Sequence, residues 1–98
     1  MSIKINQEII EQLILMNGEF YNLHKATEEL QELSLILTQK LLKPEQVNVQ
    51  QIIDEIGDVL LRMEIVKSFF SEEQIQARIS KKEADFAKWI KEGTYKQI

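Results

Sequence analysis

Cysteine is absent from the 98 residues. Disulfides, thiolate metal sites and cysteine nucleophiles are therefore excluded. Stability has to come from helix packing, helped by self-association, because so short a chain buries one small core. There is no basic excess either. Twelve Lys and Arg stand against sixteen Asp and Glu, for a net charge of −4. A binder of nucleic-acid polymers needs a concentrated basic surface, so that class is set aside. An acidic balance suits divalent cations wherever the carboxylates converge. No apolar run reaches the ~18 residues needed to span a bilayer. The start, Met1-Ser2-Ile3-Lys4-Ile5-Asn6, lacks the apolar core of a signal peptide, so the expected compartment is the cytoplasm and no membrane partner is expected.

Punctuation is sparse: one proline and three glycines. With no internal repeat, low-complexity stretch or linker, the chain reads as one domain over residues 1–98. Apolar residues recur at i, i+3 and i+4, which favours helices over strands. A first helix is expected from about Gln7 to Met16, capped by Asn6 and ended by Asn17-Gly18. Its apolar side is Ile9, Ile10, Leu13, Ile14 and Met16. A second runs from about Glu19 to Leu42 and closes at Lys43-Pro44, since the residue before proline avoids the helical region. Its stripe is Phe20, Leu23, Leu30, Leu37 and Leu41, widened by Ala26, Thr27, Leu33 and Ser34. A third is expected from about Val49 to Phe70, opened by a capping box of Asn48 and Gln51. Its stripe is Ile52, Ile56, Val59, Met63, Val66 and Phe70, broadened by Ile53 and Leu60. A fourth runs from about Glu72 to Glu92, with Ser71 and Gln74 as a second box and Gly93 as its stop. Ile75, Ile79, Phe86 and Ile90 form its apolar side, interrupted by Lys82. Thr94 to Ile98 is expected to be a loose tail. Short connections make neighbouring helices antiparallel, so the expected fold is an all-α, four-helix antiparallel bundle.

Two short acidic motifs carry the chemistry. Glu28-Glu29-Leu30-Gln31-Glu32 lies on the second helix and Asp54-Glu55-Ile56-Gly57-Asp58 on the third. Each holds two carboxylates three residues apart, on one helix face. Glu32 and Asp58 are nearly equidistant from the break at Lys43 to Asn48, so an antiparallel hairpin sets them side by side. Glu29 and Glu55 then lie about one turn away in opposite directions. At about 100° per residue, Glu29 and Glu55 flank the apolar stripes of their helices. Glu29 shares its flank with Leu33 and Ile36, which implies a cover from another helix or subunit. Four carboxylates in one groove repel each other, and a cation between them removes that cost. Oxygen ligands favour Mg²⁺ or Mn²⁺ over Zn²⁺. Such an ion supports metal-assisted phosphoanhydride hydrolysis. The plainer reading is that these are solvated acids paired with Lys25, Lys40 and Arg62, each pair worth under ~1 kcal/mol.

The pair of motifs resembles that of the MazG-like, all-alpha nucleoside triphosphate pyrophosphohydrolase superfamily. Glu29-x-x-Glu32 is followed after 22 residues by Glu55-x-x-Asp58. The doubled Glu28-Glu29, the Asp58-Val59 step, Asn17-Gly18-Glu19 and the closing basic helix with Arg78, Lys81 and Lys82 are similar to the small phage and bacterial members. The likeness runs from roughly Leu13 to Glu92. It implies Mg²⁺-dependent cleavage of a nucleoside triphosphate to the monophosphate and pyrophosphate. It implies Glu29, Glu32, Glu55 and Asp58 as metal ligands, and one of them or Glu28 as the group that orients or deprotonates water. It also implies a homodimer or homotetramer that completes the bundle, with a site drawn from more than one subunit.

Other residues keep two readings. Arg62, one turn beyond Asp58, either pairs with its helix's acids or reaches a phosphate. Arg78, Lys81 and Lys82 either steady the triphosphate or form a solvated face. His24, the only histidine, sits four residues before Glu28 and is expected to contact it locally. No Glu-x-x-His motif of a di-iron bundle occurs. Gly57 inside the third helix costs about 1 kcal/mol against alanine, which close helix approach, room for a ligand or drift would explain. The rival to an enzyme is a non-catalytic helical interaction module with the same fold. A carboxylate-bound redox metal is a third reading.

Overall fold

A computed structural model describes residues 2–93, all of whose regular structure is helical. The expected tail, Thr94 to Ile98, lies outside the described residues. Helix α1 spans Gln7–Leu42, α2 Val49–Lys67 and α3 Glu72–Glu92, with a short 3₁₀ turn at Pro44–Gln46 between the first two. The Asn6 side chain caps α1, accepting from the N–H groups of Glu8 (3.0 Å) and Ile9 (3.3 Å). Lys43 closes it by donating to the Gln39 carbonyl at 2.8 Å. The capping box at α2 is complete: Asn48 accepts from the Gln51 N–H at 2.9 Å, and Gln51 Oε1 accepts from the Asn48 N–H at 3.0 Å. At α3 half of the expected box is made, the Ser71 hydroxyl accepting from the Gln74 N–H at 3.2 Å. Gly93, in the left-handed region, ends α3 as expected.

One expected boundary holds and one shifts. At Asn17-Gly18 the expected break is present: Gly18 takes a non-helical φ 74° and ψ −179°, so α1 consists of two helical segments joined across a kink, although it runs as one of three elements. That backbone region is open essentially to glycine alone. It breaks the i to i−4 ladder and frees carbonyls, which Asn22 collects: its Nδ2 donates to Gly18 O at 2.7 Å and Leu13 O at 3.4 Å. Asn22 is fully buried; its amide N–H groups are used at the kink, while its Oδ1 has no partner among the described residues. Helix α2 ends at Lys67, short of Phe70. There the N–H groups of Ser68, Phe69 and Phe70 turn to carbonyls three residues back, the usual tightening of a last turn.

α1 and α2 form an antiparallel hairpin, with Ile10, Ala26, Val59 and Ile65 in its seam and Val47 buried in the connection. The start of α1 reaches the far end of α2, where Gln7 Nε2 donates to Glu64 at 3.4 Å. The same carboxylate pairs with Lys67 at 3.0 Å. The side of α1 that faces α2 is Asn22, Ala26, Glu29, Leu33 and Ile36, all buried or half-buried. This is the flank that carries the acids. Of the expected stripe, Ala26 is buried and Leu23 and Leu33 are half-buried, whereas its leucine-rich edge stays open: Phe20 is 88% exposed and Leu41 83%. No residue of α3 is buried. A four-helix bundle is therefore not formed within the described residues of one chain.

The Gly18 kink is directly testable. Gly18→Ala should lower stability by about 1–3 kcal/mol, although an added Cβ would meet nothing within 4 Å. The loss would be backbone strain alone. Urea unfolding followed by circular dichroism measures it, and an unchanged midpoint would show that the kink is not required.

Candidate metal centre

Three of the expected ligands converge. Glu29 and Glu32 from α1 and Glu55 from α2 each offer an oxygen, and these oxygens lie within 4.8 Å of one another. Asp58, expected opposite Glu32, stands outside this group. The physical reason is register. The hairpin turns at the Lys43-Pro44 step, earlier than the middle of the expected break, and Glu32 and Glu55 are equidistant from that step. Asp58 is exposed, yet its charge acts on both Glu29 and Glu55.

The electrostatics are strained. One oxygen each of Glu29 and Glu55 is shielded from solvent and has no hydrogen-bond partner. Burial raises the pKa of Glu29 above its ordinary value of 4.5, and the charges of Glu32 and Asp58 raise it further. Glu55 is raised in the same way, by burial first and then by Glu32, Asp58 and Glu29. Arg62 offsets part of this at Glu29, but its Nη1 is itself buried without a partner among the described residues. The group thus holds shielded acceptors without donors and a nearby donor without an acceptor. A divalent ion satisfies the first and an anionic oxygen the second.

The other expected site residues separate. Glu28 is held on its own helix, by His24 at 3.2 Å and Lys25 at 3.3 Å, as the i, i+4 spacing of His24 predicts. Arg78, Lys81 and Lys82 stand on α3, and none is among the charges that shift Glu29 or Glu55. Lys81 pairs with Asp85 at 3.5 Å. Lys82 lies 5.9 Å from the ring centres of both Phe86 and Trp89, within range of cation–π attraction. Gly57 faces open space on the side of α2 away from the acids. Sequence reasoning missed Asn22, which serves the α1 kink from the same face as Ala26 and Glu29, one and two turns before them. Its signal was an asparagine four residues after a glycine on an otherwise apolar and acidic flank.

No protein-family model, no curated protein and no solved structure matches this chain.

The raised carboxyls dictate a pH response. A folded-state pKa above the unfolded value means that the fold binds protons more tightly, so stability increases as pH falls from the raised value towards 4.5. Glu64 works oppositely. Its pKa is lowered, chiefly by Lys67, so its contribution is present above 4.5 and is lost as pH falls through the lowered value. Without divalent ions the melting temperature should therefore pass through a maximum on the acid side of neutrality. Glu55→Gln should raise it at pH 7 and flatten the slope between pH 7 and that maximum. A variant less stable than wild type at pH 7 would contradict the crowding of charge.

Proposed function

We propose that this chain is a cytoplasmic, Mg²⁺-dependent nucleoside triphosphate pyrophosphohydrolase of the MazG-like type, acting as a homo-oligomer and releasing nucleoside monophosphate and pyrophosphate. The observation that supports it most is the convergence of Glu29, Glu32 and Glu55 from two helices with two shielded, partnerless oxygens. The donor set fits a hard divalent cation, because it is all oxygen, negatively charged and short of hydrogen-bond donors. Glu29, Glu32 and Glu55 would hold the ion, with Asp58 joining from the same end of α2. Bound there, Mg²⁺ or Mn²⁺ would supply charge neutralisation for the triphosphate and acidify a nearby water. The chain's own groups divide the remaining work. The half-buried Arg62 has a spare donor, its shielded Nη1, for a phosphate oxygen. Between Asp58 and Glu28, Asp58 is the better placed to take a proton from water, since both Glu28 oxygens are engaged by His24 and Lys25. Arg78, Lys81 and Lys82 would reach a triphosphate only from a neighbouring copy.

Two measurements decide this reading. Pyrophosphate release from a panel of nucleoside triphosphates should require Mg²⁺. Glu32→Ala and Glu55→Gln should each lower kcat/KM by about two orders of magnitude or more, the scale of losing transition-state charge stabilisation. Mg²⁺ should also raise the melting temperature, by about 2.7 kcal/mol of stability at a hundredfold excess over its Kd. Silence across the panel, with a melting curve indifferent to Mg²⁺, would leave the second reading. In that reading the chain is a non-catalytic helical interaction module, which the uncovered apolar faces favour. A redox metal would instead show as iron or manganese in protein purified without chelator.

A further inference from the structure

The register that sets Glu32 against Glu55 continues along the hairpin. Glu29 falls against Asp58, Lys25 against Arg62 and Asn22 against Ile65, each pair equidistant from the Lys43-Pro44 step. Successive pairs stand three or four residues apart on each helix, which is about one turn, or roughly 5.4 Å. Charge along this groove is therefore ordered: two rungs of acids are followed by one rung of bases. The rungs also differ in depth. At one end Glu32 is exposed and Glu55 half-buried. Lys25 and Arg62 are both half-buried. Asn22 and Ile65 are both fully buried, so the groove is sealed just beyond the bases and open towards the hairpin tip.

Both bases have donors to offer. Arg62 Nη1 is shielded from solvent and has no hydrogen-bond partner among the described residues. Lys25 Nζ donates to Glu28 at 3.3 Å and stands 5.6 Å from the centre of the Tyr21 ring. An ammonium carries three donors, so one such bond does not exhaust it. Glu28, which His24 also contacts at 3.2 Å, and Tyr21 thus hold the lysine beside the groove. Two cations across a rung repel each other, and an anion between them removes that cost. Arg62 also acts on the neighbouring rung, where its charge offsets part of the repulsion at Glu29. It therefore competes with a cation held by the acids and cooperates with an anion held by the bases.

We infer that Lys25 and Arg62 form the receptor for the two terminal phosphates of a nucleoside triphosphate, the pair that departs as pyrophosphate. The inference rests on reading the site as a pyrophosphohydrolase, and adds to it a residue, Lys25, and a direction for the substrate. A single phosphate or carboxylate fills either the acid end, through an ion, or the basic end. A condensed phosphate chain spans both, with charge on every phosphate. The sealed end at Asn22 and Ile65 takes the small terminal group, and the open end at Glu32 leaves room for the nucleoside. Water adds to the innermost phosphorus and yields its proton to Asp58. The bond from that phosphorus to the bridging oxygen breaks, and its electron pair leaves on pyrophosphate. Negative charge thus grows on the group that the bases hold, so they favour its departure. Arg62 presents a planar fork and Lys25 a point charge.

The test reads binding, not turnover, by calorimetry on the full chain with two probes: Mg²⁺ alone, and inorganic pyrophosphate with and without Mg²⁺. Lys25→Gln and Arg62→Gln should each weaken pyrophosphate binding at least about tenfold, the scale of one charge-assisted hydrogen bond. Neither should weaken Mg²⁺ alone, and Arg62→Gln should tighten it about twofold by removing a like charge one turn from the acids. A damaged fold would weaken both probes, so the split separates binding from structure. Lys43→Gln removes the same charge at the hairpin tip and should change neither. Should Arg62→Gln not fold, as circular dichroism would reveal, the same split in Lys25→Gln decides. Undiminished pyrophosphate binding in both variants would overturn the receptor and leave the metal centre standing. So would an equal loss in Lys43→Gln, or a wild type that takes up Mg²⁺ but no pyrophosphate. Pyrophosphate held equally well without Mg²⁺, and weakened by both substitutions, would keep the receptor and overturn the metal-dependent reading. Binding of neither probe would overturn both.

Discussion

Glu29, Glu32 and Glu55 press like charges into the seam of the α1–α2 hairpin, where two of their oxygens are cut off from water and find no donor. Such crowding opposes folding, and the surrounding structure is arranged to bear it. Ala26 below and Leu33 beside the acids seal the seam. Arg62 returns part of the charge, and the Gln7–Glu64–Lys67 contact clamps the far end of the hairpin. The strain is local, since Glu32 is exposed and only one oxygen each of Glu29 and Glu55 is shielded. A site that is costly when empty binds its ligand with correspondingly greater effect, since the ligand removes the repulsion as well as adding its own contacts.

Much of this was legible in the residues, and the failures have physical causes. Caps depend on a few neighbouring atoms, so Asn6, Asn48 with Gln51, Ser71 and Gly93 act where their spacing placed them. The acid pairs were legible because i, i+3 spacing fixes a helix face whatever the tertiary fold. Asp58 slipped out of the group because register is set by where the hairpin turns, and the 3₁₀ turn after Pro44 is not a symmetric loop. The break at Gly18 was legible from its glycine, whereas the Asn22 amide that takes up the carbonyls of Leu13 and Gly18 was not.

The inside of α1 was misjudged for a more general reason. Periodicity identifies a helix's apolar directions but not which of them meets a neighbour in the same chain. Phe20, Leu30, Leu37 and Leu41 make the stronger stripe, yet α2 packs on the flank of Asn22, Ala26 and Glu29. A count of leucines favours the first choice. The structure follows the second, since the small Ala26 lets the helices approach and the fully buried Ile65 of α2 packs in the same seam as Asn22.

That choice has a consequence for the surface. A chain that spends its acidic flank on its internal seam leaves its most apolar stripes to face outwards, on α1, α2 and α3 alike. In a monomer those faces would be a liability for solubility. The intramolecular core of Ile10, Ala26, Val59 and Ile65 is correspondingly small. The single chain thus fixes where the carboxylates meet while burying little apolar surface to offset their repulsion.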